Sequence, residues 1–196
     1  MLKILICILF SLLISIFGFR TAYAIEDSRT IPNNKMGVHI LFVSELEKAR
    51  ELVNSNGGEW GYVTIPIQAS DRDFEKWQKF MNDARKMKLI PIIRIATENY
   101  YFDSSVWRKP QYEDILDFAN FLNSLDWPVK NRYIIVFNEV NRSDEWGGNP
   151  NPAEYARALD YAVDAFKSLN QDFFIISAGL DNASSNDQYS YMIAMD

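Results

Sequence analysis

Short apolar segments of the kind that form buried strands alternate along this chain with segments of helical periodicity. The five strand-like segments are Met36–Phe42, Trp60–Ile67, Leu89–Ala96, Arg132–Phe137 and Phe173–Ala178. The segments between them repeat apolar residues every three or four positions, which is the spacing of a helix with one buried face. Mainly apolar strands separated by helices predict a parallel sheet that helices cover.

Two α/β architectures fit this alternation. A doubly wound domain of five strands would be complete at this length, whereas a (β/α)8 barrel takes about 250 residues. A doubly wound domain favours a glycine-rich turn after its first strand to hold a phosphate, but the turn here is Phe42-Val43-Ser44. We therefore expect a partial TIM barrel with its first five strands and four helices, and the doubly wound domain remains the alternative.

The N-terminal segment has the pattern of a secretory signal peptide. Lys3 precedes an apolar run from Ile4 to Phe19, and Ala22-Tyr23-Ala24 matches the small-x-small cleavage signal. We expect residues 1–24 to be removed, which leaves residues 25–196 as one exported domain without a membrane span. A membrane anchor formed by residues 4–19 is the alternative.

Composition excludes several functional classes. The net charge of -6 argues against nucleic acid as the main partner. Cys7, the single cysteine, lies in the N-terminal apolar run, and His39 is the single histidine, so we expect neither thiol catalysis nor a metal site. The chain has no GxxxxGK[ST] or GxGxxG motif, and we expect no cofactor.

Polar residues follow the predicted strands at the end where ligands bind in both architectures. They are His39, Gln68 with Asp71, Arg94 with Glu98, Asn138 with Glu139, and Asp181 with Asn182. A carboxylate such as Glu139 at a dry barrel mouth would have a raised pKa, which suits a general acid, and the Asn138 amide could bind a sugar hydroxyl. The alternative is a purely structural role, in which Glu139 forms an ion pair with Arg94 or Arg142.

The segment Val136–Leu159, VFNEVNRSDEWGGNPNPAEYARAL, resembles the strand-four segment of glycoside hydrolase clan A. In those retaining (β/α)8 enzymes the strand ends in Asn-Glu, and a loop with Trp and Gly leads into the next helix. Weaker similarity occurs in GVHI from Gly37, in PIIRIA from Pro91, and in the W-x-x-P…D-x-x-x-F pattern from Trp107 to Phe118. The resemblance fits cellulase-like family 5 and family 39 equally.

This resemblance implies hydrolysis of O-glycosidic bonds in an oligosaccharide or polysaccharide by a retaining mechanism. Glu139 matches the clan's acid/base, and Asn138 matches the amide that contacts the sugar 2-hydroxyl. Trp146 and Trp107 could stack on sugar faces through exposed rings, and Arg94 could orient Glu139. His39 is either a rim residue or a further substrate contact.

The chain departs from the clan in one respect that matters for catalysis. Retaining glycosidases need a second carboxylate as nucleophile, and in the clan it comes from strand seven, beyond the five strands predicted here. We therefore expect a truncated barrel that is inactive and poorly stable alone. The rival functions are a noncatalytic carbohydrate-binding protein and a complete doubly wound domain that binds a small ligand.

Overall fold

The computed structural model describes residues 25–100 and 103–183. Its strands, in chain order, are β1 Gly37–His39, β2 Gly61–Gln68, β3 Leu89–Ala96, β4 Asn99–Tyr100, β5 Asp103–Trp107, β6 Arg132–Val136 and β7 Phe173–Ser177. Five of them form a parallel sheet in the order β1-β2-β3-β6-β7. The order follows the chain without the reversal of a doubly wound sheet, so the partial TIM barrel is confirmed and the doubly wound alternative is wrong.

Four helices connect the sheet strands and cover one face of the sheet. They are α1 Leu46–Val53, α2 Phe74–Lys86, α3 Tyr112–Ser124 and α4 Pro152–Leu169. Alternate residues of β2 point toward them, since Val63, Ile65 and Ile67 are buried in the same core as the inward helix residues. The sheet and its helices thus share one core, as the apolar strand segments predict.

The opposite face of the sheet is concave and partly exposed. Tyr62, Thr64 and Pro66 lie on this face of β2 and are half-buried. Phe174 on β7 is 54% exposed. In a closed barrel such residues would fill the interior, so the described strands form one open side of a barrel.

The segment that precedes β1 lies against the N-terminal end of the sheet. Glu26 forms a parallel bridge with Val129 just before β6. The buried Ser28 hydroxyl is 2.8 Å from both the Asn131 side-chain oxygen and the Tyr133 hydroxyl. These contacts leave the opposite end of the sheet, where the strands end, for the candidate site.

Helix starts are set by side chains. Asn151 caps α4, since it accepts a hydrogen bond from the Glu154 N–H at 3.1 Å and Pro152 follows it. Asp73 caps α2, since its side chain accepts the Lys76 N–H at 3.0 Å. Before α1, the Glu45 carboxylate accepts the Leu41 and Phe42 N–H groups.

The segment between β3 and α3 contains an antiparallel hairpin, β4 and β5. Its last residue is tied to the loop after β6, because Trp107 donates its N–H to the Asp144 carbonyl at 2.7 Å and accepts the Gly147 N–H at 2.8 Å. Arg108 beside it forms ion pairs with Glu98 and Asp114. The hairpin was missed because its strands are short and polar and show no apolar periodicity.

The predicted signal peptide, residues 1–24, lies outside the described residues, as do residues 184–196. Within residues 25–100 and 103–183, no helix is long and apolar enough to cross a membrane. Cleavage and export therefore remain predictions.

Two leucines on α3 test the assignment of its buried face. Leu122 is fully buried and Leu116 is 43% exposed. We expect Leu122→Ala to lower the free energy of unfolding by about 2–5 kcal/mol. Leu116→Ala is the matched control and should change it by about 0.5 kcal/mol or less. Urea unfolding of both variants checks this, and similar losses would contradict the assignment.

Candidate active site

A pocket of about 620 Å³ lies where β2, β3 and β6 end. Its wall includes Phe42, Gln68, Arg94, Trp107, Asn138 and Glu145. These residues come from four different loops or strand ends, which is how ligand sites are built at the C-terminal end of a barrel. The pocket is within the usual size range of small-molecule sites.

The backbone at the end of β6 is strained on both sides of Asn138. Phe137 has a φ of +70° and Glu139 a φ of +37°. Residues with a Cβ rarely adopt positive φ, and strain of this kind persists only where surrounding contacts enforce it. One such contact is the hydrogen bond from the Glu139 N–H to the Gly179 carbonyl at 3.0 Å.

Asn138 is held between a cation and an anion. Its side-chain oxygen accepts a hydrogen bond from Arg94 Nη1 at 2.8 Å, and its Nδ2 donates to Glu145 Oε1 at 3.4 Å. These two contacts fix the orientation of the amide. An amide has two N–H groups and two lone pairs, so one of each remains for a ligand.

Glu139 lies beside this network and faces a different arginine. Its carboxylate is 38% exposed and 3.9 Å from Arg142 Nε. Arg142 bonds more closely to Asp144, at 2.9 and 2.7 Å, and to Asp181 at 3.2 Å. Hydrogen bonding to Asp144 raises the pKa of Arg142 above its ordinary value, so Arg142 stays charged, and Asp144 and Asp181 offset its charge near Glu139.

The loop after β6 is also fixed to the end of β7. The buried Asn141 side chain donates to the Asp181 carbonyl at 2.8 Å and accepts the Asp181 N–H at 2.9 Å. Below them, the Tyr155 hydroxyl accepts the Ala178 N–H at 2.6 Å and donates to the Val136 carbonyl at 3.3 Å. Burial raises the pKa of Tyr155 to about 12, so this link persists across the working pH range.

The prediction that the ring of Trp146 is exposed is wrong. Trp146 is 1% exposed, and its ring packs edge-on against Phe137 and Tyr155 with centroids 5.8 and 5.7 Å away. Its indole N–H donates to Glu154 at 3.1 Å. The chain reverses at Gly147 and Gly148, both at positive φ, which turns the ring inward. The buried Trp146 ring therefore packs against Phe137 and stabilises the strained turn.

The remaining predicted residues occupy separate places. Trp107 lines the pocket and is half-buried, so its face is available to a ligand. His39 is exposed on the concave face of β1 and is not in the pocket wall. Its residual burial and the charge of Arg94 lower its pKa from the ordinary value. The substrate-binding roles of both residues remain predictions.

Sequence reasoning missed Glu145, which the structure places in the pocket wall next to Asn138. Burial raises the pKa of Glu145 above its ordinary value, and the charges of Asp144 and Glu139 add to this effect. The sequence offered no signal that separates Glu145 from Asp144, because both are loop acids and only the fold shows which one faces the pocket.

Neither a known protein family nor a curated protein matches this sequence. Among solved structures, the fold is similar to that of a GH39 beta-xylosidase from Caulobacter crescentus, with a TM-score of 0.53 and 14% sequence identity. The match covers 78% of this chain and 41% of that chain, so this chain spans less than half the length of its structural neighbour. The likeness supports the partial (β/α)8 barrel fold.

The strain at Glu139 can be measured with two substitutions that remove the same side chain. At φ +37° a Cβ is unfavourable and glycine is not. We expect Glu139→Gly to be more stable than Glu139→Ala by about 1 kcal/mol, which reverses the usual preference for alanine. Urea unfolding gives the difference, and an alanine variant at least as stable as the glycine variant would contradict it.

Proposed function

We propose that this chain carries the acid/base side of a retaining glycoside hydrolase site that acts on O-glycosidic bonds of an oligosaccharide or polysaccharide. The observation that carries the proposal is the strained turn presenting Asn138 and Glu139 at the end of β6. Backbone strain clusters at active sites, and here two strained residues flank one amide at the end of a strand. The fold similarity to a xylosidase supports a xyloside as the first substrate to test.

In this proposal Glu139 protonates the leaving oxygen as the glycosidic bond breaks and then acts as a base toward water. Its partial exposure leaves room for a leaving group and a water molecule. Asn138 binds the sugar 2-hydroxyl with the N–H and lone pair that Arg94 and Glu145 leave unused. A hydrogen bond at this hydroxyl strengthens in the transition state.

The nucleophile in this proposal is supplied from outside the described residues. It must lie about 5–5.5 Å from the acid/base carboxylate. Among the described residues, Asp144 and Asp181 are both ion-paired with Arg142, and Glu98 is paired with Arg108. A carboxylate held by arginine is a poor candidate for attack on carbon. Glu145 has no arginine partner, but it lies in the same loop after β6 as Glu139 and not on a facing strand. The resemblance to clan A points to a seventh strand as the source, and residues 25–183 would then bind sugar without turnover.

A noncatalytic carbohydrate-binding protein is the second candidate function. It is favoured by the position of the pocket, whose wall includes Asn138, Arg94 and Trp107 but not Glu139. Export through the predicted signal peptide suits both candidates, because polysaccharides are met outside the cell. Hydrolysis distinguishes the two.

The test is the hydrolysis of xylosides by the protein expressed from its complete natural reading frame. We expect Glu139→Gln to slow hydrolysis of xylobiose by about 10²–10⁴-fold, the usual contribution of a general acid. The same variant should still release a nitrophenol, because that leaving group needs little protonation.

Asp160→Asn is the matched control, since Asp160 is an exposed acid on α4 far along the chain from the turn. Its rates should equal those of the wild type on both substrates. Equal loss on both substrates in Glu139→Gln would contradict the acid/base role. A wild-type protein that binds xylosides without hydrolysing them would instead support the binding function.

A further inference from the structure

Among the described residues, the Glu145 carboxylate has no ion-pair partner, whereas the nearby carboxylates do. Its single hydrogen bond among the described residues is the one from Asn138 at 3.4 Å, which is longer than the usual 2.9–3.0 Å. No lysine or arginine of the described residues lies within 4.0 Å of its carboxylate. A partly buried and unpaired carboxylate costs stability, so packing alone does not explain Glu145.

The other half-buried carboxylates around the pocket are neutralised. Asp144 is paired with Arg142, and Glu154 with Lys109 at 2.8 Å. Arg108 binds both Glu98 and Asp114. Asp71 in the pocket wall is paired with Lys76. Of the two carboxylates that line the pocket among the described residues, Asp71 therefore has an ion-pair partner and Glu145 does not.

Arg94 is the corresponding cation. It lines the same pocket, and its side chain makes one hydrogen bond among the described residues, to Asn138. No described carboxylate lies within 4.0 Å of its guanidinium. The Asn138 amide therefore separates a carboxylate with unused acceptors from a guanidinium with unused donors.

We propose that Glu145 is a sugar-binding residue, which together with Arg94 binds two neighbouring hydroxyls of a neutral pyranose on either side of Asn138. A hydroxyl both donates and accepts, so one hydroxyl donates to the Glu145 carboxylate and the next accepts from Arg94. Trp107 in the same wall offers a ring face for the sugar. The inference rests on the proposed carbohydrate function and adds its substrate class.

Opposite charges in one pocket favour a neutral sugar over an acidic one. A sugar carboxylate near Arg94 would also approach Glu145 and be repelled by it, whereas adjacent hydroxyls satisfy both groups. Hydrogen bonds to charged groups are the strong ones in such sites. The loss of either charged group, Glu145 or Arg94, should therefore weaken sugar binding by at least about tenfold.

The test is xylotriose binding by the protein from its complete natural reading frame, measured by calorimetry in a Glu139→Gln background so that hydrolysis does not consume the sugar. We expect Glu145→Gln in this background to weaken binding at least tenfold. Asp160→Asn in the same background is the matched control and should bind within twofold of the parent. Unchanged binding after Glu145→Gln, or no binding by the parent, would overturn the inference.

A second readout separates binding from a structural role. Glu145 has a raised pKa in the folded protein, so its charged form costs stability above that pKa, and the cost disappears as the pH falls through it. At pH 7, Glu145→Gln should thus unfold at a urea concentration no lower than the wild type. A lower midpoint together with lost binding would show that Glu145 merely holds its loop, which would overturn the inference.

The pH dependence of binding gives the same distinction. Affinity should fall as the pH is lowered through the raised pKa of Glu145, and Glu145→Gln should remove that component. Groups that face Glu145 or share its pocket and remain in both proteins are Asp144, Arg94, Asp71 and Lys76. An identical pH profile in the two proteins would overturn the inference. None of these results decides the role of Glu139, which the hydrolysis of xylobiose tests separately.

Discussion

The strained turn at the end of β6 is the feature on which the rest of the site depends. Positive φ angles at Phe137 and Glu139 would relax if the turn were free. Contacts from β7 prevent this, through the Glu139 N–H bond to Gly179 and the paired bonds between Asn141 and Asp181. The buried Trp146 ring closes the turn from below. The parallel pairing of β6 with β7 therefore sets the geometry of Asn138 and Glu139.

Arginines divide the carboxylates of this site into two groups. Arg142 forms ion pairs with Asp144 and Asp181 and lies near Glu139. Arg108 forms ion pairs with Glu98 and Asp114. These pairs fix the loops after β3, β6 and β7. Glu145 and Arg94 remain unpaired across Asn138 because the amide fills the space in which they would otherwise meet. The loops are thus linked by ion pairs, while the charges that face the pocket are left for a ligand.

The sequence predicted the parts of the fold that follow from periodicity. β3 has the predicted bounds, and α3 has the predicted buried face of helical spacing. Contacts between distant loops were beyond such reasoning. The hairpin of β4 and β5, the inward ring of Trp146 and the pocket position of Glu145 depend instead on how the loops fold and pack against one another.

The concave face of the sheet links stability with catalysis in the proposed function. Tyr62, Tyr133 and Phe174 form a series of ring contacts across it, with centroids 6.2 and 5.5 Å apart. Phe174 remains 54% exposed, so apolar surface is left in contact with water. Strands that complete the barrel would cover these rings. The same strands would bring a carboxylate opposite Glu139, so that the contacts completing the core would also complete the catalytic pair.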